Sequence, residues 1–558
     1  MRTAGTRLPQ YALIAGLIWL LTGFILYPAL TSLMTSLTGE GGLTLAWYAD
    51  FFSSSTSLRV LQNSIVLGLL TVLACGLVGT ALAFFVHYFE FPLKNVVDKI
   101  LLLPIMMPGI IIVFAFVQLY GESGLVTKTL ETVLGLDGAP WDFSGLSGIL
   151  FVHTYTQYVF FYIAVSLTIR HIDGSVVESA RSLGASRTRV FCTVILPFIT
   201  PALITSAAVT FMTGIGSFTA PSIIGGGYKV LTTQILLAKA NNYMGTAAVQ
   251  VVLLTTISLI FFAQLRRYEK RTLFATSVKG QPMRPVAIRN PLTRYGIRAL
   301  TWALVITVIL PFLAIILLAF VDSGSWMVSI YPEKFSLDNF RAIFTRARKF
   351  QPFLNSVNMS LLAAFACLLV AVPASFIIEK TRYRVRWLIE FLVILPWAMP
   401  ASAIALNLIT ANSTPNPFTM NAVLLGSYAL LPLGYFIKSL PIVVKTVHIS
   451  FQGLSDTLME ASRSLGASGL QTLRGVVLPM LSSGLLAGFL LVFIGSIGEY
   501  TVSTFLYTAS NKPMAIAMVN AIFEYEIGLS MAYGTLLLIL TGVLSVIIGR
   551  FRRDTFAR

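Results

Sequence analysis

Glu178-Ser-Ala-Arg-Ser-Leu-Gly184-Ala-Ser-Arg-Thr-Arg-Val-Phe-Cys-Thr-Val194-Ile-Leu196-Pro197 has a second copy in the same chain, Glu460-Ala-Ser-Arg-Ser-Leu-Gly466-Ala-Ser-Gly-Leu-Gln-Thr-Leu-Arg-Gly-Val476-Val-Leu478-Pro479. Each copy has an acid, two small residues (Ser179-Ala180 or Ala461-Ser462), a glycine, nine further residues and then aliphatic-x-Leu-Pro. The spacing predicts a short helix, a turn at Gly184 or Gly466 and a second helix. Glycine takes the positive φ that a helix end requires, and Pro197 and Pro479 suit the first turn of a following segment. The small residues behind the acid leave one surface of the first helix shallow.

Other blocks repeat too. Leu45 to Phe52 matches Leu337 to Phe344, Asn63-Ser64 matches Asn355-Ser356, and Pro104 and Pro108 match Pro396 and Pro400, all displaced by 292 (355 − 63). Glu178, Gly184 and Pro197 match Glu460, Gly466 and Pro479 with a displacement of 282 (460 − 178), so the second half is ten residues shorter between the two blocks. Random apolar stretches would match at many shifts; one shift held over blocks of differing chemistry means duplication. The chain therefore divides into a first repeat, 1–270, with its loop at 175–200, a linker, 271–296, and a second repeat, 297–558, with its loop at 457–482. The linker is basic and holds Pro282, Pro285 and Pro291, as a connector does.

With 56% hydrophobic and 11% charged residues in 558, the chain is too apolar for a soluble fold. Runs of about 20 apolar residues read as bilayer-spanning helices, because lipid offers the backbone no hydrogen-bond partner. Such runs are Tyr11 to Thr35, Val60 to His87, Ile100 to Tyr120, Leu146 to Ile169, Pro201 to Ile224 and Thr246 to Gln264. The second set is Leu300 to Val321, Asn355 to Ile378, Trp387 to Thr410, Ala422 to Val444, Ser483 to Leu506 and Met531 to Gly549. The first run is long for a signal peptide and has no clear small-residue cleavage site, so it is read as a span. About six spans per half is an even number, which makes the repeat parallel, about an axis along the membrane normal.

The net charge of +17 follows the membrane topology rather than a nucleic-acid surface. Arg2 and Arg7 precede the first span, Arg266 to Arg298 carries the basic linker, and Arg550, Arg552, Arg553 and Arg558 follow the last span. The positive-inside tendency puts all three, and both termini, in the cytoplasm, with Arg341, Arg346, Arg348 and Lys349 as the exception. Cys75, Cys192 and Cys367 suggest no disulfide framework.

The two copies of the opening motif resemble the EAA loop of binding-protein-dependent ABC permeases, with Val194 and Val476 where isoleucine is usual. The alternative, an amphipathic loop in which Glu178 pairs with Arg181, explains one copy but not two in equivalent places. The resemblance covers nearly the whole chain. It implies an all-α integral membrane protein of the type I ABC importer permease fold, in a bacterial cytoplasmic (inner) membrane. It further implies that Glu178, Ser179, Ala180, Gly184 and Pro197, with Glu460, Ala461, Ser462, Gly466 and Pro479, form coupling helices docked on two copies of an ABC ATPase subunit. The chain has no Gly-x-x-x-x-Gly-Lys-Ser/Thr stretch, so ATP and Mg belong to that partner, and this chain is read as no enzyme and without a cofactor. An extracytoplasmic solute-binding protein completes the set, with external loops such as Glu122 to Ser144 and Gly225-Gly226-Gly227-Tyr228-Lys229 as its docking site. Membrane lipid, not nucleic acid, surrounds the chain.

A charge inside a span is a default functional candidate. Glu499, in Gly495-Ser-Ile-Gly-Glu499-Tyr500-Thr501, is either a pathway residue or a carboxylate hydrogen-bonded between helices; Ser217 and Tyr500 go with it as pathway candidates, Ser217 being its first-half equivalent. His87, His153, His171 and His448 are scattered without metal-ligand spacing, and no nucleophile with a base is visible. The fused layout and the Ser496 to Lys512 region resemble the ferric-iron importer permeases; thiamine and aminoethylphosphonate importers use related permeases. An ion-coupled secondary transporter also has two six-span halves but has no use for a repeated loop motif, and a membrane enzyme lacks a visible catalytic constellation.

Overall fold

The computed structural model describes residues 8–272, 285–322, 331–381 and 383–556. Arg2, Arg7, Arg558 and linker residues 273–284, with Pro282, lie outside them. The described residues are mostly helical, with one short hairpin, Thr38–Gly39 with Gly42–Leu43, and turns and loops between the helices. Eleven helices among the described residues are long and apolar enough to cross a membrane, or twelve if the bent pair Arg386–Ala398 and Ala401–Asn412 counts as one.

Several expected spans differ in shape. Trp387 to Thr410 is no straight rod: its two helices meet at 114°. The first half breaks in the same place, with helices Lys94–Leu101 and Gly109–Tyr120 on either side of a 3-10 turn, Leu103–Met106. The cause is the repeated proline pair. Pro104 and Pro396 lack an N–H, and Pro108 and Pro400 take extended backbone (ψ 133° and 149°) just before the next helix. Ala422 to Val444 becomes a helix only at Leu430 and then continues to Gln452, because a turn with Gly426 at φ +84° interrupts the apolar run. Pro201 to Ile224 and Ser483 to Leu506 each contain the end of a long helix, at Ile215 and Ile497, and a separate short one, Thr219–Ile224 and Thr501–Leu506. Hydropathy alone runs straight across these glycine-marked breaks. The ten residues missing from the second half match a loop helix, Leu125–Leu134, where the second half has only the 3-10 turn Pro417–Thr419.

Packing sorts the chain into two compact units that interleave in sequence. One contains residues 52–234 and 253–335, the other 1–51, 235–252 and 336–558. In the first, helices Ser55–Ala83, Gly145–Arg170 and Leu196–Ile215 approach through small residues: a Cβ on Gly79 would lie 2.4 Å from the Tyr158 carbonyl oxygen, and one on Gly68 2.9 Å from the Phe211 ring. In lipid, where apolar surface alone does not hold helices together, such close approach supplies the contact energy. This unit also holds the first helix of the second repeat, Pro291–Ala319, onto whose Val308 carbonyl Tyr155 donates at 2.8 Å.

The other unit has the reciprocal arrangement. Here helix Leu430–Gln452 packs against Ala347–Lys380, with Ser375 Oγ donating to the Val444 carbonyl at 3.1 Å. The first helix of the chain lies among second-repeat residues: Trp19 and Tyr27 flank the Phe418 ring at 5.6 and 5.2 Å, and Ser32 and Thr410 hydroxyls are 2.8 Å apart. Gly23 is where this helix touches Phe418, since a Cβ there would sit 2.4 Å from the ring. Gly23→Val is expected to cost about 1–3 kcal/mol by overpacking. The check is the detergent-solubilised melting temperature, which falls with Gly23→Val and recovers in part when Phe418→Ala is added.

Candidate coupling loops and helix-break sites

The repeated loops fold alike to the level of single hydrogen bonds. Helix Gly174–Ser182 is capped by Asp173, whose Oδ1 accepts from the Ser175 N–H at 2.9 Å; its counterpart is Asp456–Ser464. Val177 and Met459 are buried on the inner side, and Ile172 and Leu454 anchor the approach. Glu178, Ser179, Glu460 and Ala461 are exposed, with Ala180 and Ser462 half-buried. Glu178 makes no ion pair among the described residues, so the Glu178–Arg181 pairing of the amphipathic-loop alternative is absent.

Both first helices stop at a left-handed glycine, Gly184 at φ +82° and Gly466 at +83°. The N–H of Ala185 reaches back to the Ala180 carbonyl at 3.0 Å, and that of Ala467 to Ser462 at 3.1 Å, the six-to-one bond of a Schellman turn. Around each glycine the space is open, so backbone conformation and not crowding demands it. Ser186 and Ser468 then cap the second helices, the latter with a full capping box to Gln471.

The second helix of each loop does not restart at the proline. It runs unbroken from Arg187 to Ile215 and from Gly469 to Ile497. Pro197 and Pro479 lie inside these rods, just after π-turns at Phe191–Ile195 and Leu473–Val477. The expected new segment is thus a widened turn. An i→i−5 bond, such as the Leu196 N–H to the Phe191 carbonyl, makes room for a residue that cannot donate. The second helix of each loop and the spanning helix are consequently one rod.

Sequence reasoning did not single out Leu183 and Leu465. Both are 89% exposed, at the same place between serine and glycine. A single exposed leucine is ordinary. Its exact repetition at the tip of two equivalent loops was the available signal.

The loops are tied to their own halves by different polar contacts. Arg170, the last residue before the first loop, donates to Asp98 Oδ2 at 3.0 Å, while Tyr162 and His87 meet Asp98 Oδ1 at 2.7 and 3.1 Å. Burial by itself would raise the Asp98 carboxyl, but the His87 and Tyr162 hydrogen bonds and the Arg170 charge hold it well below the usual carboxylate range. In the second half Lys380 holds the loop directly, donating to the Leu454 carbonyl and to Asp456, each at 2.8 Å.

Glu499 and Ser217 are not inside continuous spans. They occupy the breaks after Gly498 and Gly216, between a long helix and a short one. In the first half His153 Nε2 bonds Ser217 Oγ at 2.8 Å, and Thr71 bonds the other ring nitrogen at 2.9 Å. In the second, Glu499 accepts from Lys438 Nζ at 2.8 Å and from the Ser503 N–H at 3.2 Å, and Tyr435 bonds Ser503 Oγ at 2.7 Å. Tyr500 is buried beside Glu499. Lys438 was hidden in an apolar run 61 residues away.

The repeated Asn-Ser pair also has a use. Asn63 donates to the Lys229 carbonyl at 3.0 Å and Ser64 accepts from the Leu231 N–H at 2.8 Å; Asn355 and Ser356 do the same for Lys512 and Met514 at 3.0 and 2.8 Å. They clamp the loop that follows each short helix. Among the described residues no group of three His, Cys, Asp or Glu side chains could hold a metal ion.

The chain is thus a helical membrane protein built of two repeats, each with a loop that leaves one spanning helix and turns back into another. The chain belongs to the family of binding-protein-dependent transport system inner membrane components, whose model matches twice, at residues 76–273 and 371–553. It is therefore a multi-pass inner-membrane permease of the ABC transporter class. It is 31% identical to a probable ABC transporter permease protein, y4fN, of Sinorhizobium fredii, over 96% of this chain and 95% of that one. It is 23% identical to the ferric transport system permease protein FbpB of Actinobacillus pleuropneumoniae, over 94% of this chain and 75% of that one. The spermidine/putrescine transport system permease protein PotB of Escherichia coli is 32% identical over 37% of this chain and 78% of its own.

Proposed function

We propose that this chain forms the translocation path of an ATP-driven importer for ferric iron, with its two coupling loops, linker and both termini in the cytoplasm. Each loop docks on one copy of a separate ATPase subunit, and an extracytoplasmic binding protein delivers the cargo. The observation that carries the reading is the pair of matching loops, the second helix of each continuous with a spanning helix. Closure of an ATPase pair would move both loop tips, and each rod would carry that movement into the membrane. The path alternates between outward and inward access accordingly. Ferric iron is favoured because the ferric permease similarity extends over 94% of this chain, whereas the polyamine permease similarity covers 37%. Polyamine import is the second reading, on that partial similarity.

The test is uptake of radiolabelled ferric iron by cells expressing the permease with its ATPase and binding protein. Uptake is expected to stop when ATP is depleted with the proton gradient kept, and to persist when the gradient is collapsed with ATP kept. Uptake that follows the gradient would overturn the importer reading, and ATP-dependent uptake of putrescine but not iron would overturn the cargo.

A further inference from the structure

The two helix breaks have matched positions and unmatched charge. Subtracting 282 carries Tyr435, Lys438, Glu499 and Ser503 onto His153, Thr156, Ser217 and Pro221. In the first half the break is bridged to helix Gly145–Arg170 by a neutral bond, His153 to Ser217 at 2.8 Å, while the Thr156 hydroxyl bonds its own helix at the Val152 carbonyl, 2.9 Å. In the second half helix Leu430–Gln452 is bridged to the break by an ion pair, Lys438 to Glu499 at 2.8 Å. The same fold is therefore made without charge in one repeat and with it in the other. Since a buried carboxylate in a membrane protein is costly to keep, and a neutral bridge holds the equivalent place, the charge calls for a use beyond packing.

The ion pair is also lopsided. The Glu499 side chain is 3% exposed and its second oxygen is held by the Ser503 N–H at 3.2 Å, so the carboxylate is fixed. The Lys438 side chain is 39% exposed and ends in a compact ammonium on a flexible four-carbon stem. The movable member is the cation. A guanidinium would grip both oxygens; an ammonium makes one bond here and leaves readily.

We infer that Lys438 is a tethered stand-in for a cationic cargo, keeping Glu499 neutralised until an incoming cation displaces the ammonium, so that the second-half break is a cation subsite. In the exchange one cation takes another's place at the carboxylate, and the released ammonium moves to the exposed side. This rests on the importer reading and adds to it a site and a charge class, covering ferric iron and polyamines alike.

The experiment uses the full importer in cells, with radiolabelled ferric iron and putrescine as probes. Glu499→Gln is expected to lower maximal uptake of the transported probe by about tenfold or more at unchanged complex yield. Lys438→Met, which leaves the carboxylate to the cargo, lowers the apparent KM and the maximal rate together, since nothing displaces the bound cation. The double variant Lys438→Met/Glu499→Gln, uncharged like the first half, assembles normally and keeps the Glu499→Gln defect. Wild-type uptake by the double variant would overturn the inference, leaving the pair a brace. So would a raised KM in Lys438→Met, which would make the ammonium a contact for an anionic carrier. A wild-type chain that supports no ATP-dependent uptake would instead count against the importer reading.

Discussion

Permease carrying Leu183→Asp and Leu465→Asp together is expected to reach the membrane in normal amount and to lose its ATPase subunits on purification. Each leucine is 89% exposed at the tip of a proposed coupling loop, so neither contributes to the permease's own packing. Burying one in a partner groove is worth about 1.5–3 kcal/mol. The pair then accounts for roughly 3–6 kcal/mol, about 10² to 10⁴ in affinity. Aspartate both removes that burial and brings an unpaired charge into the groove. The measurement is the ATPase recovered per permease after affinity purification, with Leu183→Ala/Leu465→Ala as a milder step. Full recovery with both aspartates present would rule out the loop tips as the docking surface.

Gly184→Val combined with Gly466→Val is expected to separate assembly from transport. Nothing lies within 4 Å of a Cβ at either site, so no clash within the permease opposes its insertion. The obstacle is φ, +82° and +83°, which an L residue adopts at about 1–2 kcal/mol each, and more for a β-branched one. Two such turns leave roughly 30- to 1,000-fold fewer molecules with both loops correctly bent. Uptake should fall within that range while complexes still bind and hydrolyse ATP. If uptake and hydrolysis both stayed at wild-type levels, the turns would have no part in coupling.

Much of this was legible because it was written twice in local chemistry. A helix, a left-handed glycine and a cap can be read from Ser-Leu-Gly-Ala-Ser alone, and their repetition at a constant shift removes coincidence. The bends at Pro104 and Pro396 were marked in the sequence but lay inside runs that a hydropathy window treats as uniform. Gly216 and Gly498 were hidden in the same way, which is why Ser217 and Glu499 were placed within spans and not at breaks. The partner of Glu499 could not be read at all, because Lys438 belongs to another helix and only tertiary structure brings them to 2.8 Å. Leu183 and Leu465 were passed over for the opposite reason: leucine is expected to turn inward, and these two do not.

The reciprocal exchange of first helices has a bearing on how the protein is made. Gly23 is synthesised 395 residues before its neighbour Phe418 (418 − 23). At about 5–20 residues per second the ribosome needs some 20–80 s to supply that neighbour. The opening helix must wait in the bilayer for that interval, held by lipid or by the insertion machinery. A gene cut at the linker would thus yield two products that each leave the translocon without the helix that completes them, and only their simultaneous production should restore a whole permease.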